Sequence, residues 1–223
     1  MDRAIVVMAK APIAGLAKTR LQRETGLEPE TIKRLANAFL TDVLASCARV
    51  TEARTLVAFT PEGGRDFFAA AAPHATLVPQ VEGDLGARMR SAFESAFATG
   101  ASRVVMIGTD APHFGATRIR AVFTVLERAP CAIVPADDGG YCAIGLDGPR
   151  TALFANVPWS TSEVLAVTLA NATSSGIRVE LAPGEFDVDT AADLDRLAAL
   201  LAKSPERAPR TARELRSFPR RGQ

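Results

Sequence analysis

A carboxylate follows one of the apolar runs of the chain at a position typical of ligand sites. Residues 104–107 predict a buried strand, and Thr109 and Asp110 come just beyond its carboxyl end. In open α/β sheets such positions lie in the crevice where ligands bind. Pro112 disfavours a helical conformation of the preceding residue, so the chain turns away after Asp110. The alternative is that Asp110 only caps a helix that begins near Gly115.

Two more carboxylates, Asp187 and Asp189, alternate in the segment 186–190, Phe-Asp-Val-Asp-Thr. Alternation in an extended segment directs both side chains to one face. Together with Asp110 they have the chemistry of a divalent-cation site, since such ions take oxygen ligands from several segments. We expect the Asp110 carboxylate within roughly 4 to 7 Å of one of the other two, with Asp189 favoured because it directly precedes the last helix. Capping of that helix by Asp189 or Thr190 is the alternative.

A loop with three cations follows the predicted first strand. It carries Lys10, Lys18 and Arg20, with Gly15 for a tight backbone path and Thr19 for a hydroxyl. These groups suit an anionic, phosphate-bearing ligand. The loop matches neither the P-loop nor the dinucleotide fingerprint, because the required glycine spacings are absent. An ordinary solvated turn is the alternative.

Two glycine-containing stretches have further ligand-binding features. Gly83 lies at a predicted helix start with Arg88 in the first turn, where a cation is disfavoured unless an anion is nearby. The second stretch lies between two predicted strands and contains Asp138, Gly139, Gly140 and Tyr141. Its paired glycines predict close approach of a ligand to the backbone. A solvent-facing arginine and a plain hairpin turn are the alternatives.

Trp159 and Ser160 precede another predicted helix. Ser160 and Glu163 have the spacing of a capping box, in which each side chain accepts a hydrogen bond from a backbone N–H of the first turn. That structural role is the simplest interpretation of the pair. Trp159 either packs on the helix start or flanks a substrate.

These residues must be positioned by alternating strands and helices. Hydrophobic periodicity predicts helices over residues 28–49, 64–72, 85–99, 116–128, 160–175 and 191–201. Besides 104–107, it predicts strands over residues 4–9, 55–59, 75–78, 131–134, 141–146 and 177–181, and an extended piece over 185–189. Such alternation implies an α/β protein of three α/β/α layers, with a mostly parallel mixed sheet covered on both faces.

Charge divides the 223 residues into two parts. Residues 203–223 carry seven basic and two acidic residues and three prolines, which predicts a mobile basic tail after a single domain over residues 1–202. We expect the tail to be dispensable for folding and no specific nucleic-acid binding. The cysteines lack metal-ligand spacing, which indicates reduced residues of a cytoplasmic protein. No segment has the pattern of a signal peptide or the length of a membrane span.

Six motifs taken together resemble a bacterial glycosyltransferase-A-like family, sometimes labelled arsenosugar-biosynthesis glycosyltransferases. They are more distantly similar to the phospholactate and molybdenum-cofactor guanylyltransferases. The motifs are Ala-Lys-Ala-Pro with Lys-Thr-Arg-Leu in 9–21, Gly-Asp-Leu-Gly at 83–86, Gly-Thr-Asp at 108–110, Asp-Gly-Gly-Tyr at 138–141, Trp-Ser-Thr at 159–161 and Asp-Val-Asp-Thr at 187–190. The match covers residues 4–202.

The resemblance implies a nucleotide-diphospho-sugar transferase fold in which Asp110 and one aspartate of the Asp-Val-Asp segment hold Mg²⁺ or Mn²⁺. It implies that Lys18 and Arg20 face the donor phosphates, so that removal of either cation weakens donor binding with little loss of stability. The catalytic residues are then Asp110, Lys18 and Arg20. The predicted substrate-binding residues are Lys10, Gly15, Thr19, Gly83, Arg88, Thr109, Asp138, Gly139, Gly140, Tyr141, Trp159 and Ser160.

Two reactions suit these residues. In glycosyl transfer a small-molecule acceptor attacks the sugar of a nucleotide-diphospho-sugar, and in nucleotidyl transfer an acceptor attacks the α-phosphate of an NTP and releases pyrophosphate. The family resemblance favours glycosyl transfer, whereas the lone Asp110, in place of an Asp-x-Asp pair, favours nucleotidyl transfer. A catalytically silent nucleotide-binding module is the third interpretation.

Overall fold

A computed structural model, which describes residues 2–218, contains a mixed seven-stranded sheet with helices on both faces. In chain order the strands are β1 (Arg3–Lys10), β2 (Arg54–Thr60), β3 (Thr76–Pro79), β4 (Arg103–Ile107), β5 (Cys131–Pro135), β6 (Tyr141–Leu146) and β7 (Val179–Leu181). Across the sheet they run in the order β3-β2-β1-β4-β6-β5-β7. Strand β6 is antiparallel to β4 and β5, and the other neighbours are parallel. The predicted three-layer α/β fold is confirmed.

The α helices of the described residues are α1 (Thr19–Thr25), α2 (Pro29–Ala48), α3 (Arg65–Ala71), α4 (Leu85–Ala98), α5 (Gly115–Val125), α6 (Val164–Ser174), α7 (Ala191–Lys203) and α8 (Pro209–Arg216). Short 3₁₀ turns occur at Glu62–Gly64, Thr151–Phe154 and Pro205–Arg207. Periodicity did not predict α1 and α8, which are only about two turns long. None of the described helices is long and apolar enough to cross a membrane.

Alternation along β1 shows how the sheet divides the core. Ile5 and Val7 face a cluster that includes α2, α3 and α5, while Ala4 and Val6 face a second cluster with α4 and α6. Successive side chains of a strand point to opposite faces, so both faces of this buried strand are apolar. Because β1 to β4 are parallel, the loops that follow them meet at one edge of the sheet.

The C-terminal residues as far as Phe218 pack on the domain. A third hydrophobic cluster joins Phe39 of α2 and Leu197 of α7 to Ala212 of α8. The prediction of a mobile tail over residues 203–223 is therefore wrong for residues 203–218, because Lys203 ends α7 and the few apolar side chains that follow it dock on the domain. Residues 219–223 of the predicted tail lie outside the described residues.

A buried carboxylate fixes the start of α8. Asp42 of α2 is 2% exposed and accepts hydrogen bonds from the backbone N–H groups of Arg210, at 3.1 Å, and Thr211, at 2.7 Å. The first N–H groups of a helix have no partner within the helix, so a carboxylate from elsewhere satisfies them here.

The start of α6 differs from the prediction. The helix begins at Val164, and Ser160 has a φ of 66°, in the left-handed region. The N-cap residue of α6 is Glu163, whose side chain forms no capping hydrogen bond. The Thr161 hydroxyl donates to the Pro158 carbonyl at 2.8 Å and accepts from the Glu163 N–H at 3.3 Å. The predicted capping box of Ser160 and Glu163 is wrong, because the chain is still turning at Ser160.

Candidate active site

The carboxyl ends of β1 to β4 open into a cavity of about 790 Å³. Of the predicted substrate-binding residues, those that line it are Lys10, Thr19, Arg88, Thr109, Asp138, Gly140, Tyr141, Trp159 and Ser160. Gly15, Gly83 and Gly139 lie outside its wall. A cavity of this volume is of the size that small-molecule sites have.

The Lys18 ammonium bridges two of the predicted metal ligands. Its Nζ lies 2.6 Å from Asp110 Oδ1, 2.7 Å from Asp189 Oδ1 and 2.7 Å from the Val188 carbonyl oxygen. Two oxygens that share one nitrogen at these hydrogen-bond distances lie within roughly 5 Å of each other. The predicted proximity of Asp110 and Asp189 is confirmed.

Backbone contacts bring this pair together. The Val188 N–H donates to the Asp110 carbonyl at 2.9 Å, so the segment before α7 is joined directly to the end of β4. Thr190 forms a capping box with Asp193 at the start of α7, which leaves the Asp189 side chain free to face Lys18. The alternative of helix capping is thus correct for Thr190 and wrong for Asp189.

Asp110 does not cap the helix that follows it. The N-cap of α5 is Phe114, which makes no side-chain cap, and the Asp110 carboxylate turns to Lys18 instead. The Asp110 side chain therefore faces the cavity at the end of β4, and it does not turn towards the start of α5.

Charge and burial differ among the three groups. The side chain of Lys18 is 11% exposed, and those of Asp110 and Asp189 are 47% and 46% exposed. Burial lowers the pKa of Lys18, but the negative charges of Asp110 and Asp189 outweigh this effect and hold that pKa above its ordinary value. The Lys18 ammonium is therefore charged.

Asp187 does not join the pair. Its Oδ1 accepts a hydrogen bond from the Cys142 thiol at 3.3 Å. Burial raises the pKa of Asp187 to about 6, and the negative charges of Asp138, Asp110 and Asp189 add to the effect, while the Cys142 hydrogen bond opposes it. The segment around Asp187 is not a strand, since its single bridge among the described residues joins Ala136 to Glu185, but Asp187 and Asp189 both line the cavity.

The three aspartates predicted as candidate metal ligands do not form one group of three, and the pair that the structure brings together is Asp110 with Asp189. Within residues 2–218, no group of three or more His, Cys, Asp and Glu side chains is arranged to hold a metal ion. Asp110 and Asp189 remain as the candidate ligands. A pair of carboxylates suits Mg²⁺, which usually keeps several waters and takes its other ligands from substrate phosphates.

The other cations of the cavity wall make weaker contacts. Lys10 Nζ donates to the Leu16 carbonyl at 3.1 Å, and Arg88 Nε donates to the Gly83 carbonyl at 3.1 Å. Arg20, whose side chain is 62% exposed, pairs with Glu24 one turn later at 3.2 Å. Long cationic side chains with such partners can turn to an anionic ligand at small cost.

The cavity wall also includes apolar side chains. Its wall includes Met8, Met89, Met106, Leu85, Tyr141 and Trp159. Trp159 lies against α4 so closely that a Cβ at Gly86 would be 2.8 Å from the indole Nε1, which explains the glycine there. Burial raises the pKa of Tyr141, so its hydroxyl stays protonated. The cavity wall thus combines charged and apolar side chains.

Gly139 has a structural role. It has a φ of 89°, and a Cβ at this position would lie 2.1 Å from the Ser162 carbonyl oxygen. The Leu165 N–H also donates to the Gly139 carbonyl at 2.9 Å. The predicted close approach at this glycine is therefore made by the start of α6, and not by a ligand.

Gln80 lines the cavity and was missed in the sequence. It follows β3, and its Nε2 donates to the Ala58 carbonyl at 2.7 Å. It is the first polar residue beyond a strand that runs parallel to β4, so its position resembles that of Asp110. That signal was available in the predicted strand 75–78.

Residues 43–161 match a protein family described as an uncharacterized protein conserved in bacteria, DUF2064. The chain belongs to this family. The chain is also similar to a crystal structure from Desulfovibrio desulfuricans G20, which is provisionally described as a nucleotide-diphospho-sugar transferase. It is 30% identical, with 96% of this chain and 94% of that chain covered and a TM-score of 0.87. No curated protein matches the chain at a significant level.

More distant structures share the fold of this DUF2064 member. A 4-diphosphocytidyl-2C-methyl-D-erythritol synthase from Anaerococcus prevotii is 12% identical, with 90% and 97% of the two chains covered and a TM-score of 0.61. A cytidylyltransferase from Leptospira borgpetersenii is 14% identical, with 97% and 93% covered and a TM-score of 0.55. The comparisons confirm the predicted family and fold, and at the level of class they confirm the prediction of a transferase.

Proposed function

We propose that the protein transfers a group from a nucleotide donor to a small-molecule acceptor, with a divalent cation held by Asp110 and Asp189. The observation that carries this proposal is the convergence of these two carboxylates on one cation, Lys18, at the wall of a cavity that Arg20 and Arg88 also line. Carboxylates and cations in one cavity suit a donor whose phosphates are bound both directly and through a metal.

The two carboxylates fit a divalent cation because they already hold a positive group between them. Mg²⁺ or Mn²⁺ would neutralise the negative charge that develops on the departing phosphate group. Arg20 and Arg88 contribute to the same stabilisation from the cavity wall, where their guanidinium groups suit phosphate oxygens.

Glycosyl transfer from a nucleotide-diphospho-sugar is the first candidate reaction, supported by the relative from Desulfovibrio desulfuricans. The acceptor hydroxyl must then lose a proton. Asp138 and Asp187 are the lining carboxylates that Lys18 does not contact, so they are the candidate proton acceptors. Trp159 and Tyr141 form an apolar wall that limits the access of water to the sugar.

Nucleotidyl transfer is the second candidate, favoured by the single carboxylate at the end of β4. Gly108 stands where an Asp-x-Asp pair would place its first aspartate. In this reaction the acceptor attacks the α-phosphate, and the same cations stabilise the pyrophosphate that leaves.

The decisive experiment presents NTPs and nucleotide sugars to the purified protein with Mn²⁺, first in binding titrations and then with pools of small-molecule acceptors. Release of nucleoside diphosphate identifies glycosyl transfer, and release of pyrophosphate identifies nucleotidyl transfer. If no donor of either kind binds, the proposal is wrong.

A matched pair of variants tests the metal ligand. Asp189→Asn should weaken Mn²⁺-dependent donor binding by roughly a hundredfold, since even the outer partners of metal ligands contribute 10- to 100-fold. Asp187→Asn should change it far less, because Asp187 hydrogen-bonds Cys142 instead. Equal losses in calorimetric titrations would contradict the assignment of Asp189.

A further inference from the structure

The Lys18 ammonium has no donor left for a phosphate in this arrangement. Its three acceptors are Asp110, Asp189 and the carbonyl of Val188, all at 2.6 to 2.7 Å. An ammonium group has three N–H donors, and three protein oxygens use them. A contact between Lys18 and a donor phosphate therefore requires that the ammonium leave at least one of the carboxylates.

The position of the ammonium is also the position that a metal needs. Asp110 and Asp189 are each nearly half exposed, so the cavity reaches their carboxylates although Lys18 itself is largely buried. Two carboxylates this close repel each other unless a cation lies between them. One ammonium leaves the group of three with a net negative charge, whereas a divalent cation neutralises the pair completely.

We propose that Lys18 holds the cation position between Asp110 and Asp189 until a divalent cation displaces it, and that the displaced ammonium then binds the donor phosphates. The second step rests on the proposed function. Metal and donor strengthen each other's binding, because the metal frees the ammonium that the phosphates take up. The metal alone binds weakly, since it must first break three charge-assisted contacts of Lys18.

The first test follows the exposure of Lys18 when Mn²⁺ alone is added to the full chain. Lysines are acylated briefly with a small reagent, and the extent at each is read by mass spectrometry. We expect Lys18 to be protected without Mn²⁺ and to react severalfold faster with it. Lys10, which lines the same cavity and donates to the Leu16 carbonyl, serves as the internal control and should not change. Unchanged protection of Lys18 at saturating Mn²⁺ overturns the proposal.

The second test measures Mn²⁺ affinity by electron paramagnetic resonance. Lys18→Met should bind Mn²⁺ about tenfold or more tightly than the parent, because no ammonium competes for the carboxylates. Arg20→Met removes an exposed cation of the same region and should alter the affinity by no more than about threefold. Asp189→Asn should lose binding. Equal affinities of the parent and Lys18→Met, or binding that survives Asp189→Asn, overturn the proposal.

These measurements separate the proposal from the function on which its second step rests. A nucleotide-dependent transferase in which Lys18 stays protected excludes the displacement and leaves the function standing. Displacement of Lys18 by Mn²⁺ in a chain that binds no nucleotide excludes the function and the second step. If Lys18→Met does not fold, the labelling of the parent decides alone.

Discussion

One backbone position controls how the turn between β5 and β6 meets α6. Gly139 combines a left-handed φ of 89° with the close approach of the Ser162 carbonyl. Its neighbour Gly140 accommodates Asp138, whose Oδ1 accepts from the Gly140 N–H at 2.8 Å. The turn thereby presents Asp138 and Tyr141 to the cavity, so a defect at Gly139 would move residues of the candidate site.

Gly139→Ala should destabilise the protein by on the order of 3 kcal/mol, because backbone strain and a steric overlap act together. Urea unfolding measures the loss. Gly148→Ala is the matched control: no heavy atom lies within 4 Å of a Cβ at Gly148, so its effect should stay within about 0.5 kcal/mol. A stable Gly139→Ala variant would show that the turn can move away from α6.

The two cations implied to bind phosphate also differ in their structural role. Arg20→Ala should weaken donor binding without a change in melting temperature, as expected for an exposed side chain. Lys18→Ala should in addition cost about 1 to 2 kcal/mol, because Asp110 and Asp189 lose their shared cation but remain partly hydrated. Thermal melts beside donor titrations check both, and equal melting temperatures would contradict the structural role of Lys18.

At the scale of elements, α8 packs against α2. Its Ala212 joins the third hydrophobic cluster, and Glu214 pairs with Arg34 of α2 at 2.8 Å. Asp42 satisfies the first N–H groups of α8. As far as Phe218 the C-terminal stretch packs on the domain, so we expect it to contribute to stability, in contrast to the expectation from its composition.

Truncation after Lys203 should lower the melting temperature by roughly 5 to 10 °C, because it uncovers apolar side chains of α2 and α7 and removes the two N–H groups that Asp42 binds. Asp42→Ala should lower it in the full chain as well. Thr41→Ala, next to it on α2, should have little effect, since the Thr41 hydroxyl only donates back to the Asn37 carbonyl. A truncated chain that melts like the parent would restore the prediction of a dispensable tail.

At the scale of the whole molecule, Glu185 connects three distant parts of the chain. Its carboxylate lies 3.0 Å from His113 Nε2, 3.3 Å from Arg207 and 3.8 Å from Arg118. Burial acts to raise the pKa of Glu185, but the hydrogen bond and charge of His113 and the charges of both arginines outweigh it, so that pKa lies below its ordinary value. The contact ties the segment before Asp187 to α5 and to the turn before α8.

Glu185→Gln should cost on the order of 1 to 3 kcal/mol at neutral pH, because a buried ionic network loses its anion. The pKa of Glu185 is lower in the folded protein than in the unfolded chain. The stabilisation that ionised Glu185 provides is therefore present above the ordinary glutamate pKa of 4.5, and it is lost as pH falls through the pKa of Glu185 in the folded protein. The stability difference between parent and variant should therefore shrink in urea titrations below pH 4.5. The exposed Glu206 gives the control, Glu206→Gln, and a difference that does not depend on pH would contradict the argument.

The sequence by itself predicted most of the elements and the position of Asp110 at the end of a strand. Periodicity places Ile32, Leu35 and Phe39 on one side of α2, where all three are buried. The apolar run before Asp110 forms β4, and the carboxylate lies at its carboxyl end beside the cavity. These features follow from local rules, since the side-chain period of a helix or strand depends on neighbouring residues alone.

Only the tertiary structure decided which groups meet. Lys18 and Asp189 are 171 positions apart, and their contact depends on the backbone bond between Val188 and Asp110, which no local pattern encodes. The same holds for Asp42, which caps a helix that begins more than 160 residues later. Long-range pairs are set by the order of strands in the sheet and by the packing of side chains, and both are properties of the whole chain.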